Sequence, residues 1–350
     1  MNVVADFVKS ILPPHRVTPS GWHTINAPCC IHRGETQDTR KRGGFNISAD
    51  GNVSFHCFNC SFKASYIVGR HLTVRFRKLL TWMNVSETQI QRLVIETMRL
   101  KSLYSKYVDV SDTEYVEPEF ETKDLPVGAM PIEDVVKLCI QNDEPLPTQL
   151  IDAVELMVHR RIDTEKYQIH WCPDAENNMI NRVIVPLHWK GKIVGYSARS
   201  LYDSVKPKYF SSTDNKYVFN IDEQKDDNQI LIVTEGLFDA MSIDAVGLLG
   251  NECNDYQADI INSLQKQVIV VPDFDRKYNK NIKKYVWSGE NLVDSALEYG
   301  WNVSFPQWNE TCKDINDAVV KYGKLFTLKT ILNTTEHSKL KIELYKKRYN

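Results

Sequence analysis

The sequence predicts a multi-domain α+β protein in which a small zinc ribbon precedes a domain built on a parallel α/β sheet. Two runs of consecutive apolar residues, 230–233 and 268–271, each precede acidic residues, a pattern typical of parallel strands covered by helices on both faces. Cysteine and histidine recur at metal-ligand spacing within residues 29–60. An acidic stretch that contains proline separates these two parts.

Composition and charge narrow the function class. The 350 residues are 42% hydrophobic, which suits two or three units. The net charge of -2 conceals an uneven distribution. Residues 1–108 carry 15 basic and 6 acidic side chains, and residues 109–124 carry 1 basic and 7 acidic side chains. Residues 324–350 carry 7 basic and 2 acidic side chains. This pattern favours a polyanion-binding protein. Without a signal-peptide pattern or a membrane-length apolar run, we expect a cytoplasmic protein with no membrane partner.

The strongest local motif is the ribbon in residues 22–60. The predicted Zn²⁺ ligands are Cys29, His32, Cys57 and Cys60. Two short strands joined by Asp-Gly lie between the ligand pairs, and so small a ribbon needs a metal for folding energy. We expect Cys30 to be a poorer ligand because one residue separates it from His32, whereas His56 is an alternative. Basic and aromatic residues around the ribbon suit a single nucleic-acid strand, although Phe45 and Phe55 fit its core better.

Helical periodicity follows from about Ala64 to Lys106, and the acidic stretch reads as a linker. Two helices are expected in residues 130–160, then a hairpin over 182–199. A loop with several lysines, Lys208 and Lys216 among them, comes next. These lysines suit a triphosphate or a template backbone, although each alone is as well explained as a solvated surface residue.

Acidic residues cluster after the strands of the predicted parallel sheet. Glu235 follows the first strand, Asp273 and Asp275 follow the second, and Asp239 lies one helical turn after Glu235. Asp314 follows a third strand, where it is either a helix-start residue or part of the site. Carboxylates meeting at one sheet edge repel one another unless cations lie between them, so we expect Mg²⁺ or Mn²⁺ there.

Taken in order, several motifs resemble those of DnaG-type DNA primases, and most closely the compact primases of T4-like bacteriophages. The motifs are C-x2-H, H-C-F-x-C, R-V-I-V-P-L, G-Y-S-A-R, P-K-Y, E-G-L-F-D-A, D-F-D-R and K-D-I-N-D, within residues 22–322. The resemblance implies a zinc-binding domain and an RNA polymerase domain, the latter with a mixed α/β basic subdomain and a catalytic topoisomerase-primase (Toprim) domain. The expected divisions are 1–108 (ribbon and helices), 109–129 (acidic linker), 130–226 (basic subdomain), 227–323 (Toprim domain) and 324–350 (basic tail).

The resemblance also implies residue roles. The catalytic acids would be Glu235, Asp273 and Asp275; the flanking acids of the metal site, Asp239 and Asp314; and the phosphate-binding residues, Arg182, Arg199, Lys208 and Lys216. Glu235 would bind metal or act as proton acceptor or donor. Asn316 stands where the bacterial family usually has an acid, which leaves open whether one or two metals bind.

The implied function is DNA-dependent RNA synthesis: short RNA primers made on single-stranded DNA for lagging-strand replication. The implied partners are the template, ribonucleoside triphosphates, a replicative helicase on a separate chain and a single-stranded DNA-binding protein, in the cytoplasm of a bacterial host. Because the helicase-binding domain of bacterial primases has no counterpart here, we expect that contact to use another surface. Two alternatives are a Toprim-type nuclease or topoisomerase-like enzyme and a non-catalytic DNA-binding replication mediator.

Overall fold

The computed structural model describes residues 3–70, 72–107, 117–173, 179–224, 228–279, 284–308 and 312–349. The chain divides into two compact units: Met1–Glu114 with Arg276–Val286, and Tyr115–Asp275 with Trp287–Asn350. The expected linker, 109–129, falls in part outside the described residues. None of the described helices is both long enough and apolar enough to cross a membrane.

The first unit is built on a five-stranded antiparallel sheet in the order β1-β2-β3-β4-β5. Its elements are α1 (Val3–Ile11), β1 (Arg16–Val17), β2 (Trp22–Ile25), β3 (Gly43–Ile47), β4 (Val53–Cys57), β5 (Lys63–Tyr66), α2 (Val74–Trp82) and α3 (Glu87–Tyr107). Alternate residues of β4 are buried, and the rings of Phe45 and Phe55 pack 4.8 Å apart in the core. The prediction that these two rings belong to the ribbon's core is therefore confirmed. The helical region begins later than expected, at Val74, because residues 63–66 form β5.

The second unit contains an antiparallel sheet in the order β10-β9-β8-β7-β6. Its elements are β6 (Met130–Pro131), α4 (Ile132–Gln141), α5 (Thr148–His159), β7 (His170–Trp171), β8 (Arg182–Trp189), β9 (Lys192–Ser200) and β10 (Tyr209–Ser212). The predicted hairpin is confirmed as β8 and β9. Lys190 and Gly191, at its turn, both have positive φ, as tight hairpin turns of this kind require.

The second sheet of this unit positions the acidic residues. From residue 230 onward the chain forms β11 (Ile230–Thr234), α6 (Leu237–Ile243), β12 (Val246–Gly247), α7 (Asp255–Ser263), β13 (Gln267–Val271), β14 (Arg276–Asn279), β15 (Lys284–Trp287), α8 (Glu290–Tyr299), β16 (Asn302–Ser304), α9 (Ile315–Tyr322), α10 (Lys324–Asn333), β17 (Thr335–Glu336) and α11 (Lys339–Tyr349). Of these, β14 and all of β15 except Trp287 belong to the first unit. The order is β12-β11-β13-β16-β17, with β14 and β15 paired separately. Every pairing is parallel except that of β17 with β16. The α+β class with a parallel sheet is therefore confirmed.

Two features of this sheet differ from the sequence prediction. The sequence pattern predicts a helix from Leu237 to about Gly247, but α6 ends at Ile243, because Asp244 adopts a left-handed conformation (φ 57°) and the chain turns into β12. The sequence pattern of residues 324–350 predicts one basic amphipathic helix, but they form α10, β17 and α11, and β17 extends the sheet. This prediction is wrong because the pairing of residues 335–336 with β16 interrupts the helix. Lysines of the segment also bind acids of the same unit: Lys324 contacts Asp244, and Lys346 contacts Asp294.

Candidate functional site

Glu235 and Asp273 meet at the carboxyl edge of the parallel sheet. Strands β11 and β13 are paired so that Thr234 lies opposite Val271, which brings the residues that follow to the same edge. Glu235 is only 7% exposed, and its Oε1 accepts a hydrogen bond from the backbone N–H of Asp273 at 3.1 Å. The carboxylate of one strand end therefore fixes the start of the loop that follows the next strand.

The backbone of the Asp273-Phe274-Asp275 loop is held on three sides. The Phe274 N–H donates to the Lys313 carbonyl at 3.0 Å, and the indole N–H of Trp287 donates to the Asp273 carbonyl at 2.6 Å. The N–H and hydroxyl of Ser288 both donate to the Asp275 carbonyl at 3.0 Å. With its carbonyls engaged in this way, the loop has a defined course next to Glu235.

Asp239 lies on the first turn of α6, where it is buried and close to other acidic side chains. Its Oδ1 accepts the backbone N–H of Asn316 at 2.9 Å, and its Oδ2 occupies the space where a Cβ at Gly236 would lie, 2.4 Å away. Burial, followed by the charges of Asp314 and Asp273, raises the pKa of Asp239 well above its usual range. The glycine therefore leaves room for Asp239, and the pKa shift reflects burial first and the neighbouring acids second.

Asp314 is the N-cap of α9, where its Oδ1 accepts the Asp317 N–H at 2.8 Å. Burial raises its pKa, and Asp275 contributes in the same direction. Asp314 therefore caps a helix and also lies within electrostatic reach of Asp239 and Asp275. The two roles left open by the sequence are compatible.

Asn316 ties the acidic edge to the C-terminal end of α5. Its side-chain oxygen accepts from Nη1 of Arg160 at 2.6 Å, and its amide donates to the Arg160 carbonyl at 2.9 Å and to the hydroxyl of Ser242 at 2.6 Å. The backbone N–H of Asn316 donates to Asp239, so both the backbone donor and the side chain of Asn316 are hydrogen-bonded. Next to Arg160 opens a cleft of about 180 Å³, whose lining includes Lys321. An asparagine can make all of these bonds at once, whereas an acid cannot donate.

Two guanidinium groups flank one aromatic ring beside these acids. The Cζ atoms of Arg160 and Arg199 lie 5.2 Å and 5.0 Å from the ring centre of Phe238. Burial is the main cause that lowers the pKa of Arg199, and the charge of Arg160 acts in the same direction. Tyr209, which shares a hydrogen bond with Arg199, opposes this shift. Within the described part of the chain, the Nε of each arginine is buried without a hydrogen-bond partner. Paired cations with unused donors suit an anion such as a phosphate.

The other predicted phosphate-binding residues are placed differently. Arg182 is 3% exposed and donates to the carbonyls of Ala198 and Pro207 at 3.3 Å and 2.7 Å, so it holds backbone in the core instead of facing a ligand. Lys208 is exposed. The Nζ of Lys216 lies 4.8 Å from the ring centre of Tyr256. Arg199 thus packs on Phe238, the residue before Asp239, and its phosphate-binding role stays a prediction. Arg182 differs from its prediction because its backbone partners bury it.

The acids at the sheet edge fit hard divalent cations by donor type. Among the described residues, however, only the cysteines of the ribbon bring three or more ligand atoms within 4.8 Å of one another, so the acids are spaced more widely than a closed cage. Open sites completed by water and substrate phosphates are the usual arrangement for Mg²⁺. A cation among Asp239, Asp273 and Asp314 would also relieve the repulsion that raises the pKa of Asp239.

In the ribbon, four cysteine sulfurs form the candidate zinc site. Cys29 and Cys60 lie 3.4 Å apart, and Cys30 and Cys57 lie 3.5 Å apart. A tetrahedral site with Zn–S bonds of about 2.3 Å has sulfurs about 3.8 Å apart, so this group fits Zn²⁺ closely. The pKa of Cys60 is lowered to about 5, mainly by its hydrogen bond with Cys29, which supplies a thiolate at neutral pH.

The structure thus differs from the predicted ligand set, since Cys30 takes the place expected for His32. Cys29 and Cys30 begin a 3₁₀ turn (Cys30–Arg33) that directs both sulfurs inward, whereas the His32 ring stacks on Trp82 with centroids 5.0 Å apart. The prediction sets Cys30 aside because only one residue separates it from His32. The signal that could have identified Cys30 was the Cys-Cys pair itself. Similarly, the Arg160-Arg161 pair at the end of a predicted helix was the sequence feature that could have indicated Arg160 as a site residue.

Part of the chain is similar in sequence to bacterial DNA primases. No protein-family model matches the chain. The DNA primase of Mycoplasma genitalium is 31% identical over 163 residues, which are 41% of this chain and 25% of that protein. The DNA primase of Aquifex aeolicus is 24% identical over 161 residues, 41% of this chain and 31% of that protein. The solved zinc-binding and RNA polymerase domains of Aquifex aeolicus primase align with 99% of this chain and 88% of that chain, at 17% identity and a TM-score of 0.44.

The chain therefore spans less than a third of the length of these curated relatives. Both relatives are bacterial proteins, so the closer likeness to phage primases stays a prediction. The resemblance to DNA primases that the motifs indicate is confirmed: over about two fifths of its length, this chain is similar in sequence to bacterial DNA primases.

Proposed function

We propose that this chain is a DNA primase, an RNA polymerase that makes short primers on single-stranded DNA by metal-dependent nucleotidyl transfer. The observation that carries the proposal is the contact between Glu235 and the backbone of Asp273 at the carboxyl edge of the parallel sheet. This contact brings together Glu235 and Asp273, which belong to two different primase-like motifs. Asp239 and Asp314 lie within electrostatic reach of the other acids. The sequence similarity to bacterial DNA primases supports the same activity.

The acids and the arginines would have separate tasks. Glu235, Asp273 and Asp275, with Asp239 and Asp314, would hold Mg²⁺, which supplies neutralisation of the triphosphate and activation of the primer hydroxyl in such reactions. Glu235 orients the Asp273 loop through its hydrogen bond, a role that suits it better than proton transfer. Arg199 and Arg160 would bind phosphates, since both present guanidinium groups beside the acids. Lys208, which is exposed, would contact phosphates further out.

The first unit would supply the template contact. A Zn²⁺ held by Cys29, Cys30, Cys57 and Cys60 would stabilise the ribbon. Phe58 is 69% exposed, and its ring packs at a tilt against that of His56, with centroids 4.3 Å apart. The Phe58 N–H donates to the carbonyl of Arg42. An exposed ring beside basic residues suits base stacking along a single strand.

The activity is tested with single-stranded DNA, ribonucleotides and Mg²⁺. We expect wild-type chain to make short RNA and Asp273→Asn to lose at least about two orders of magnitude, because the isosteric amide removes one charge from the cation site. Asp143→Asn is the matched control, since Asp143 is exposed and its left-handed conformation suits asparagine. Wild-type chain that makes no RNA, or equal synthesis by both variants, would refute the proposal.

The same reaction without nucleotides separates the alternatives. DNA cleavage under those conditions would indicate the nuclease or topoisomerase-like enzyme, and DNA binding without either reaction would indicate the non-catalytic mediator. A replicative helicase, a single-stranded DNA-binding protein and a place in the cytoplasm of a bacterial host follow from the proposed task and stay predictions. The expected division of the second unit at residues 226–227 is also a proposal, supported by its two separate sheets.

A further inference from the structure

Five aromatic rings connect the loop between the catalytic acids to helix α11. Phe274, which separates Asp273 from Asp275, packs against Trp287 and Tyr349 with ring centroids 6.2 Å and 5.3 Å apart. Tyr349 also packs on Trp287 at 5.0 Å. The cluster continues through Phe305 to Tyr345. An aromatic contact therefore runs from α11 directly to the residue between the two acids.

Within this cluster, Tyr349 contacts one ring that belongs to the loop, Phe274, and one ring that binds the loop, Trp287. Trp287 supplies the indole N–H that binds the Asp273 carbonyl, and Phe274 is bonded to both aspartates. Tyr349 touches the rings of both, and its hydroxyl accepts a hydrogen bond from the side chain of Gln307 at 3.0 Å. Fixing these two rings restrains the backbone on both sides of Phe274.

Helix α11 is itself fixed to the domain by a buried ion pair. Lys346 contacts Asp294 at 2.5 Å and Glu290 at 3.6 Å, both on α8, and the burial of Ile342 adds an apolar contact. Because α8 follows the strand that ends in Trp287, α11 and the loop share one anchor. Contacts outside the loop thus also hold Tyr349 in place.

We propose that Tyr349 is a positioning residue for the cation site, and that it acts through Phe274 and Trp287 to hold Asp273 and Asp275 in the arrangement that binds a divalent cation. This inference rests on the proposed function for the identity of the site. Neither catalytic motif includes Tyr349, which lies 74 residues after Asp275. Side chains that orient metal ligands from outside typically change metal affinity by about ten- to a hundredfold when removed.

Tyr345 provides a matched control on the same helix. Its ring stacks on Phe305 at 4.8 Å, one turn before Tyr349, and among the described residues it makes no ring–ring contact with Phe274 or Trp287. Tyr345→Ala removes a ring of the same size from the same cluster, whereas Tyr349→Phe keeps the ring and loses only the hydroxyl. The two variants separate the packing of α11 from the contact with the loop.

The experiment measures Mn²⁺ binding to the zinc-loaded full chain by electron paramagnetic resonance, alongside primer synthesis as a function of Mg²⁺. We expect Tyr349→Ala to bind Mn²⁺ roughly tenfold more weakly and to need correspondingly more Mg²⁺ for half-maximal synthesis. Tyr345→Ala and Tyr349→Phe should stay within about twofold of wild type. Circular dichroism checks that each variant is folded; should Tyr349→Ala unfold, Tyr349→Leu is expected to show the same loss.

The outcomes distinguish this inference from the proposed function. Equal Mn²⁺ affinity in wild type and a folded Tyr349 variant without the ring would overturn the positioning role and leave the primase proposal intact. The same loss in Tyr345→Ala would also overturn it, because general destabilisation of α11 would then explain both. A wild-type chain that binds no Mn²⁺ outside the zinc site would overturn the cation assignment, and this inference with it.

Discussion

Replacing Cys30 and His32 one at a time tests which of them binds zinc. In the structure, the sulfur of Cys30 lies 3.5 Å from that of Cys57, whereas the ring of His32 stacks on Trp82. We therefore expect Cys30→Ser to lose zinc and His32→Ala to keep it. The sequence spacing predicts the reverse result, so the two variants decide between the ligand sets.

The size of the effect follows from the number of ligands. Structural zinc sites contribute about 10–16 kcal/mol of apparent binding free energy, or about 2.5–4 kcal/mol for each of four ligands. At about 1.4 kcal/mol per tenfold change, Cys30→Ser should weaken zinc binding roughly 10²- to 10³-fold. Loss of the half-buried His32 ring removes one stacking contact, about 1 kcal/mol, and should leave zinc affinity within severalfold.

Zinc affinity is measured by competition with a chromophoric chelator, and unfolding is followed by circular dichroism. Wild-type chain and His32→Ala should each retain one zinc per chain at a chelator concentration that strips Cys30→Ser. Removing zinc from wild type should also lower its melting temperature, because the ribbon depends on the metal. Loss of zinc from His32→Ala together with retention in Cys30→Ser would refute the four-cysteine assignment.

Three further changes test the packing around the acidic edge. A Cβ at Gly289 would lie 2.6 Å from the carbonyl of Asp273, so Gly289→Ala should displace the loop and reduce primer synthesis at least tenfold, whereas Gly250→Ala, with nothing within 4 Å, should not. Asn316→Asp should destabilise the chain by about 1–3 kcal/mol in denaturant unfolding, because an acid cannot donate to the carbonyl that the amide binds. Asp244→Asn should lower the free energy of unfolding by about 1 kcal/mol at neutral pH, after allowance for the solvent exposure of Asp244. Hydrogen bonds from two lysines and a tyrosine lower the pKa of Asp244 to about 2 despite partial burial. The stability that the charged carboxylate contributes is therefore complete above about pH 4 and is lost as the pH falls through about 2.

Each of these expectations has a result that contradicts it. Full synthesis by Gly289→Ala would mean that the loop tolerates displacement from its place beside Glu235. Unchanged unfolding of Asn316→Asp would mean that the amide is not required between α5 and α6. A stability difference between wild type and Asp244→Asn that persists at pH 2 would mean that the charge of Asp244 is not its source.

The sequence predicted the arrangement of the acids because parallel strands impose it. Once two buried strands are recognised, pairing brings their carboxyl ends to one edge, so Glu235 and Asp273 had to lie close together. The hairpin of β8 and β9 was equally accessible, since alternation and turn residues depend only on local sequence. These inferences needed no knowledge of how distant segments pack.

The unpredicted features depend on contacts between segments far apart in the chain. Arg160 reaches the site through Asn316, which is 156 residues away, and no local pattern encodes that distance. Arg182 looked like a ligand-binding residue because its charge is visible in the sequence, whereas the carbonyls that bury it are not. The inward direction of Cys30 follows from a 3₁₀ turn that spacing alone did not reveal.

Both margins of the parallel sheet are occupied by segments from elsewhere in the chain. On one margin β17 pairs with β16, and on the other Phe219 exchanges backbone hydrogen bonds with Gly247 of β12. An unpaired outer strand is a template for another chain, and a very short outer segment such as the two-residue β17 offers little of it. Any protein that added a strand directly to β16 or β12 would first have to dislodge one of these segments. Self-association into fibrils through this sheet is disfavoured for the same reason.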